Sequence, residues 1–230
     1  MENNNNNYVE QRVSLATHTT KTFGWMFFGL MVTFALAYTS YSTGFILSIL
    51  SIPGLYYILP IAEILLVIVL SSRIYKLPVV ATHALFFTYA LLNGFTFAVY
   101  FLVYDLMSMI YVFAVTGGMF GAMALYGFVT KSDLSKWRTV LMFGLVAILI
   151  FWIIAMFINL SMFETIACTI GVLIFVGFTA YDTQKIRLCY EVYYNDPETL
   201  EKMSIYSALQ LYLDFINLFI YVLRLFGRRK

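Results

Sequence analysis

The chain has 230 residues, of which 62% are hydrophobic and only 11% charged. A soluble domain carries roughly a quarter charged residues, and a single core of this size cannot enclose so much apolar surface. The formal net charge of +2 excludes little, but Walker-type glycine loops, HExxH, GxSxG and CxxC motifs are all absent, so no enzyme is expected.

In chain order, residues 1–22 read as a polar N-terminal tail with an asparagine run, Asn3–Asn7. The apolar run that follows is too long for a signal-peptide core, so no cleavable signal is expected. A helix needs about 20 apolar residues to cross the hydrocarbon layer. Seven stretches qualify, near 23–42, 55–72, 79–100, 106–129, 139–159, 165–182 and 205–225. They are continuous and lack period-2 alternation, which predicts helices rather than barrel strands. The expectation is an all-α integral membrane protein, with a seven-helix transmembrane domain over 23–226 and a basic tail at 227–230. One longer loop is expected from Thr183 to Ser204. Gly117 and Gly121 in the fourth span form a GxxxG pair that predicts close helix packing. Cys168 and Cys189 imply no disulfide framework, and His18 and His83 are too isolated to suggest a metal site.

Charge placement gives an orientation. Arg12, Lys21, Arg73, Lys76, Lys131, Lys136, Arg138, Lys185, Arg187 and Lys202 all fall on one set of alternating segments, and the intervening loops carry no Lys or Arg. Basic loops stay in the cytoplasm, which places the N-terminus there. Arg224, Arg228, Arg229 and Lys230 conflict with this pattern. Either the last run crosses and its tail is an exception, or it re-enters; crossing is favoured because no central Pro or Gly marks a turn.

Ionisable groups inside spans are the most informative features, because each costs a few kcal/mol unless paired or wetted. In the last span Ser207, Gln210, Asp214, Asn217, Tyr221 and Arg224 follow at steps of three and four, which puts them on one helical stripe. Two readings stand: interhelical hydrogen bonding that holds a bundle together, or the wall of an ion pathway. Asp182 ends the sixth span as read here. It is either a boundary residue or the partner of Asp214, and two adjacent carboxyls can share one proton and titrate as a unit or contribute oxygens to a hard cation such as calcium. Glu63 lies inside the second span. Arg73, at its end, either snorkels to headgroups or pairs with a carboxylate at that end. Asn93 is placed to hydrogen-bond across helices.

The stretches FVGFTAYDTQKI (175–186) and LQLYLDFINLF (209–219) resemble the two most characteristic segments of the Bax inhibitor-1 family, the transmembrane Bax inhibitor motif proteins. Gly117–Met123 through Lys131–Leu134, and Glu63 through Arg73, fit as well. The resemblance covers nearly the whole chain and is closer to bacterial members than to animal ones. It implies seven helices with the last at the centre of the other six, and a pH-sensitive calcium leak. It further implies that Asp182 and Asp214 form the pH-sensing pair and that Arg73 latches it. Animal members tend to carry another acid one turn before Asp214, where this chain has Gln210.

Calcium and protons are therefore the expected ions, with no resident cofactor, a lipid bilayer as surroundings, no nucleic-acid partner, and a monomer as the simplest assembly. Glu63, Gln210, Asn217, Ser207 and Tyr221 are the further pathway candidates. The rival functions are a proton-coupled cation exchanger using Glu63 and Asp214, a non-transporting regulator of stress or protease partners, and an intramembrane aspartyl protease. The last is disfavoured because Asp214 lacks the Gly-x-Gly-Asp context.

Overall fold

The computed structural model describes residues 13–52 and 54–230, so the Asn3–Asn7 run lies outside the described residues. Eight α-helices account for most of these: α1 (Leu15–Ser42), α2 (Phe45–Leu50), α3 (Leu55–Arg73), α4 (Val79–Val103), α5 (Leu106–Val129), α6 (Arg138–Ala155), α7 (Glu164–Tyr193) and α8 (Pro197–Phe226). Among the described residues six helices are long and apolar enough to cross a membrane: α1, α4, α5, α6 with its preceding turn, α7 with its preceding turn, and α8. The seventh run, α3, is a continuous helix of 19 residues. The chain is a multi-pass, all-helical membrane protein.

Three boundaries differ from the sequence reading. α1 begins at Leu15, not near Phe23, because the Ser14 hydroxyl caps the helix by accepting from the Thr17 amide. The early turns are also used: Thr22 is buried and hydrogen-bonded to Ser204 on α8 at 3.1 Å. A six-residue helix, α2, interrupts the first loop, started by Gly44 at φ 74°, a left-handed value that favours glycine. The expected loop from Thr183 to Ser204 is almost entirely helix. α7 runs on to Tyr193, and α8 starts at Pro197 with Asp196 capping the Thr199 amide at 3.1 Å. Polar Gln184, Lys185 and Arg187 end the hydropathy signal without ending the helix, since all three are good helix formers. Asp182 is consequently an interior residue of α7.

α8 is the central element. Of its most apolar stretch 61% is buried, against 6% for α6. It packs along α7, α1, α5 and α4, while α3 leans on α4 and α6 on α7. The phenylalanines supply this core, mostly through edge-to-face contacts: Phe34 and Phe113 meet Phe219 edge-on, Phe97 meets it at a tilt, and Phe113 also meets Phe215 edge-on. Such arrangements match ring edge to ring face electrostatically.

α5 meets α7 backbone to backbone at Gly127, where a Cβ would stand 2.2 Å from the Ala180 carbonyl oxygen. The expected packing at Gly117 and Gly121 does not occur in the monomer: nothing lies within 4 Å of the Cβ position at either residue, or at Gly118. These glycines sit on the outward side of α5, where the sequence motif alone does not reveal which face is buried.

α8 runs uninterrupted to Phe226, so the last run does not fold back. The tail is fastened at the α4–α5 turn. The Asp105 amide donates to the Arg228 carbonyl at 2.9 Å, the Lys230 amide to Val103 at 3.0 Å, and the Arg228 amide to the Ser108 hydroxyl at 2.8 Å. Lys230 also reaches the Tyr41 hydroxyl at 2.8 Å. The basic tail therefore shares an end of the bundle with a loop that carries no Lys or Arg.

Candidate functional site

The predicted stripe on α8 lies along antiparallel α7. Asp214 and Asp182 face each other across this interface, close enough for each carboxyl to act on the other. Both are buried, at 4% and 6% exposure. One oxygen of each, Asp182 Oδ1 and Asp214 Oδ2, has no hydrogen-bond partner, and the same is true of the Thr183 hydroxyl and, further along α8, the Ser207 hydroxyl. Buried polar atoms are rarely left unpaired. Two facing carboxyls that each keep an unpartnered buried oxygen mark a site built for something other than static packing.

The cation of this cluster is Lys185, one turn beyond Asp182. Its ammonium donates to Gln210 Oε1 at 3.0 Å and lies 5.1 Å from the Tyr206 ring centre. Its positive field acts on both aspartates, and that of Arg138 on Asp182. The expected Arg73 latch is not made in this conformation. Arg73 is exposed at the end of α3 and forms no ion pair with either aspartate. A cavity of about 370 Å³ lies between its neighbours Ser71 and Ile74 and the α7–α8 residues Lys185, Cys189 and Tyr206, and the lining stops short of both aspartates.

The rest of the stripe divides by depth. Asn217 donates to the Leu213 carbonyl of its own helix at 2.7 Å and bridges to no other. Tyr221 accepts from Trp152 Nε1 at 3.2 Å and stacks on Phe175. Arg224 pairs with Glu164 at 3.4 Å.

Glu63 belongs to a second network on the opposite side of α8. Its carboxylate accepts from Thr96 at 2.6 Å and from Asn93 Nδ2 at 3.1 Å. Tyr212, fully buried, connects this group to α8: its hydroxyl is 3.2 Å from Asn93 Oδ1 and 2.6 Å from Thr33 Oγ1. Thr33 donates onward to the Ala90 carbonyl at 2.8 Å. The two polar networks thus flank one helix, Tyr212 and Asp214 pointing to nearly opposite faces as residues two apart must.

Among the described residues no group of three or more His, Cys, Asp and Glu is arranged to hold a metal. The aspartate pair supplies two carboxylates where a bound calcium ion takes six to eight oxygens. Cys168 and Cys189 are free thiols.

The family model for inhibitors of apoptosis-promoting Bax1 matches residues 15–230. The chain belongs to this Bax inhibitor family. Among similar proteins, inner membrane protein YbhL of Escherichia coli K12 is 40% identical over 224 residues, covering 96% of each chain. An uncharacterized protein of Borreliella burgdorferi is 35% identical over 91% of each. One from Deinococcus radiodurans is 36% identical over 93% of this chain and 91% of its own. The two segments that carry the Bax inhibitor resemblance are the two helices that form the aspartate interface.

Sequence reasoning found the two aspartates, Glu63 and Asn93, but missed Lys185 and Tyr212. Lys185 was assigned to a loop. Tyr212 sits among leucines, and a tyrosine in such a run reads as another apolar side chain until its hydroxyl is seen to be enclosed.

Proposed function

We propose that this Bax inhibitor family member is a pH-sensitive calcium leak, with Asp182 and Asp214 as the proton-sharing sensor. The observation that carries the reading is the pair itself: two buried carboxyls on adjacent helices, each with an unpartnered oxygen. Like charges at such range cannot both be ionised without a compensating cation, so proton occupancy is tied to how α7 and α8 sit. With one shared proton the pair is a hydrogen bond that joins the helices. Loss of that proton replaces the bond by repulsion and gain of a second leaves two neutral acids, and a change of a few kcal/mol, about 5.5 kcal/mol for a complete reversal, repopulates two states.

Lys185 is the cation at hand in this state. Engagement of Arg73 belongs to another conformation, one in which the end of α3 closes across the cavity beside Lys185. A site of two carboxylates suits a cation in passage rather than one held tightly. In the proposed orientation the N-terminus and the α7–α8 tip face the cytoplasm.

The test is calcium flux into liposomes carrying an internal calcium dye, measured across pH. Wild type is expected to show pH-dependent flux, and Asp182→Asn and Asp214→Asn to show flux that no longer responds to pH. An Asn variant retaining the wild-type pH profile would refute the sensor. Calcium uptake driven by an imposed pH gradient against its own gradient would replace the leak with exchange.

A further inference from the structure

At the end of the bundle away from the α7–α8 tip, a cavity of about 300 Å³ lies between α2, α3 and α4. Its walls are apolar, with Ile46 and Ile49 from α2, Leu59 from α3 and Val99 from α4. Along α4 it extends from Phe95 to Tyr104, a rise of roughly 13 Å at about 1.5 Å per residue. Two guanidinium groups, Arg224 and Arg229, close the Tyr104 end.

Those two cations share one carboxylate, with Tyr100 as a further partner of Arg224. Both turn to the same carboxylate oxygen, Glu164 Oε1, at 3.4 and 3.5 Å. Charge-assisted N–H···O bonds form at about 2.7–2.9 Å, and each guanidinium carries five donors. Arg224 is fixed from another side by the Trp152 ring, its guanidinium carbon 4.2 Å from the ring centre. This holds its plane, and Glu164 and Tyr100 together occupy only part of its five-donor edge. Tyr104 and Trp152 also mark this end as the level of the membrane interface, where aromatic side chains collect. Cationic donors at headgroup level above an apolar slot in a membrane protein form a site with one polar and one apolar requirement.

We propose that this cavity binds an anionic phospholipid of the surrounding bilayer, the phosphate between Arg224 and Arg229 and an acyl chain in the slot toward Thr96. The paired guanidiniums match phosphate oxygens, and the slot excludes a ligand without a chain. Among the described residues the only charged ones in its lining are the two arginines, which repel an entering cation, so this site is separate from the proposed leak. Because Thr96 both lines the cavity and holds Glu63, the acyl chain would reach the wall of the second polar network.

The experiment is native mass spectrometry of the full chain in a neutral detergent, titrated separately with phosphatidylglycerol, phosphatidylcholine, palmitate and inorganic phosphate. One phosphatidylglycerol is expected to be retained, with occupancy at least ten-fold above phosphatidylcholine. Arg224→Gln with Arg229→Gln should reduce it ten-fold or more. Val99→Phe, which fills the slot without touching the charges, should reduce it as well. If the double variant fails to fold, Arg229→Gln, at an exposed side chain, and Val99→Phe decide the matter. Lys131→Gln with Lys136→Gln, at the other end, should leave retention unchanged. Equal retention of phosphatidylglycerol and phosphatidylcholine, or retention unmoved by the Arg229 and Val99 variants, would overturn the site. Palmitate or inorganic phosphate held as well as phosphatidylglycerol would overturn the assignment of head and chain together.

Discussion

Replacing Gly127 with alanine tests whether the aspartate interface depends on how closely α5 approaches α7. The added Cβ would stand 2.2 Å from the Ala180 carbonyl oxygen and 2.9 Å from its carbonyl carbon and Cα, where ordinary contacts begin at 3.4 Å. The obstacle is backbone, so no side chain can swing aside, and α5 must retreat by more than 1 Å. Overpacking of this kind costs about 1–3 kcal/mol. Alanine's better helix propensity returns up to about 1 kcal/mol, which leaves a net loss. Gly121→Ala is the internal control: same helix, same chemistry, but open space around the new methyl. It should be neutral or stabilising by up to about 1 kcal/mol. The assay is equilibrium unfolding in mixed micelles, with calcium flux measured on the same preparations. Because Ala180 lies two residues from Asp182, Gly127→Ala should also alter the pH response. A Gly127→Ala protein as stable as the Gly121→Ala protein, with wild-type flux, would refute the close-contact argument.

Tyr212→Phe removes a buried hydroxyl and leaves Asn93 Oδ1 without its donor, so a loss of about 1–3 kcal/mol is expected by thermal unfolding. Glu63→Gln retains the shape but replaces one accepting oxygen by an NH₂ that opposes either Thr96 or Asn93. Slower hydrogen exchange is not expected there; faster exchange of the surrounding α3 and α4 amides is. Outside the spans, the Thr199 hydrogen bonds hold the Asp196 carboxyl below the usual carboxylate range. A group with a lowered folded pKa contributes stability above its unfolded value and loses it as pH falls through the folded one. Protection of the first α8 amides, taken relative to their intrinsic exchange rate at each pH, should therefore fall on acidification. Asp196→Asn, which caps without titrating, should flatten that response.

Much of the fold is legible from hydropathy, because every long helix coincides with an apolar run that only a helix can carry through lipid. What hydropathy misses is helix that leaves the lipid. Gln184 through Tyr193 is as helical as the segment before it, yet its polar residues read as a loop, which leaves Asp182 open as a boundary residue or a partner of Asp214 and Lys185 as one more basic loop residue. The stripe on α8 was found by spacing, since a polar side chain every three or four residues is visible without a partner. Which helix the stripe faces is not visible. Glycines show the same limit: Gly117 and Gly121 have the motif and face outward, while Gly127 has no motif and makes the contact, because close approach depends on the neighbouring helix.

The fastening of residues 228–230 to the α4–α5 turn sets the mechanics of α8. Sliding or turning α8 would break these bonds whereas tilting it about its C-terminal end keeps them, so the displacement expected to part Asp214 from Asp182 is a tilt about that end. Asp214 lies roughly 18 Å from Phe226 and Pro197 roughly 44 Å, at about 1.5 Å per residue. Lateral travel scales with distance from a fulcrum, so a parting of about 1 Å at the aspartates corresponds to more than twice that at the α7–α8 tip. The tip is the place where a label would report the opening of the pair with the largest amplitude.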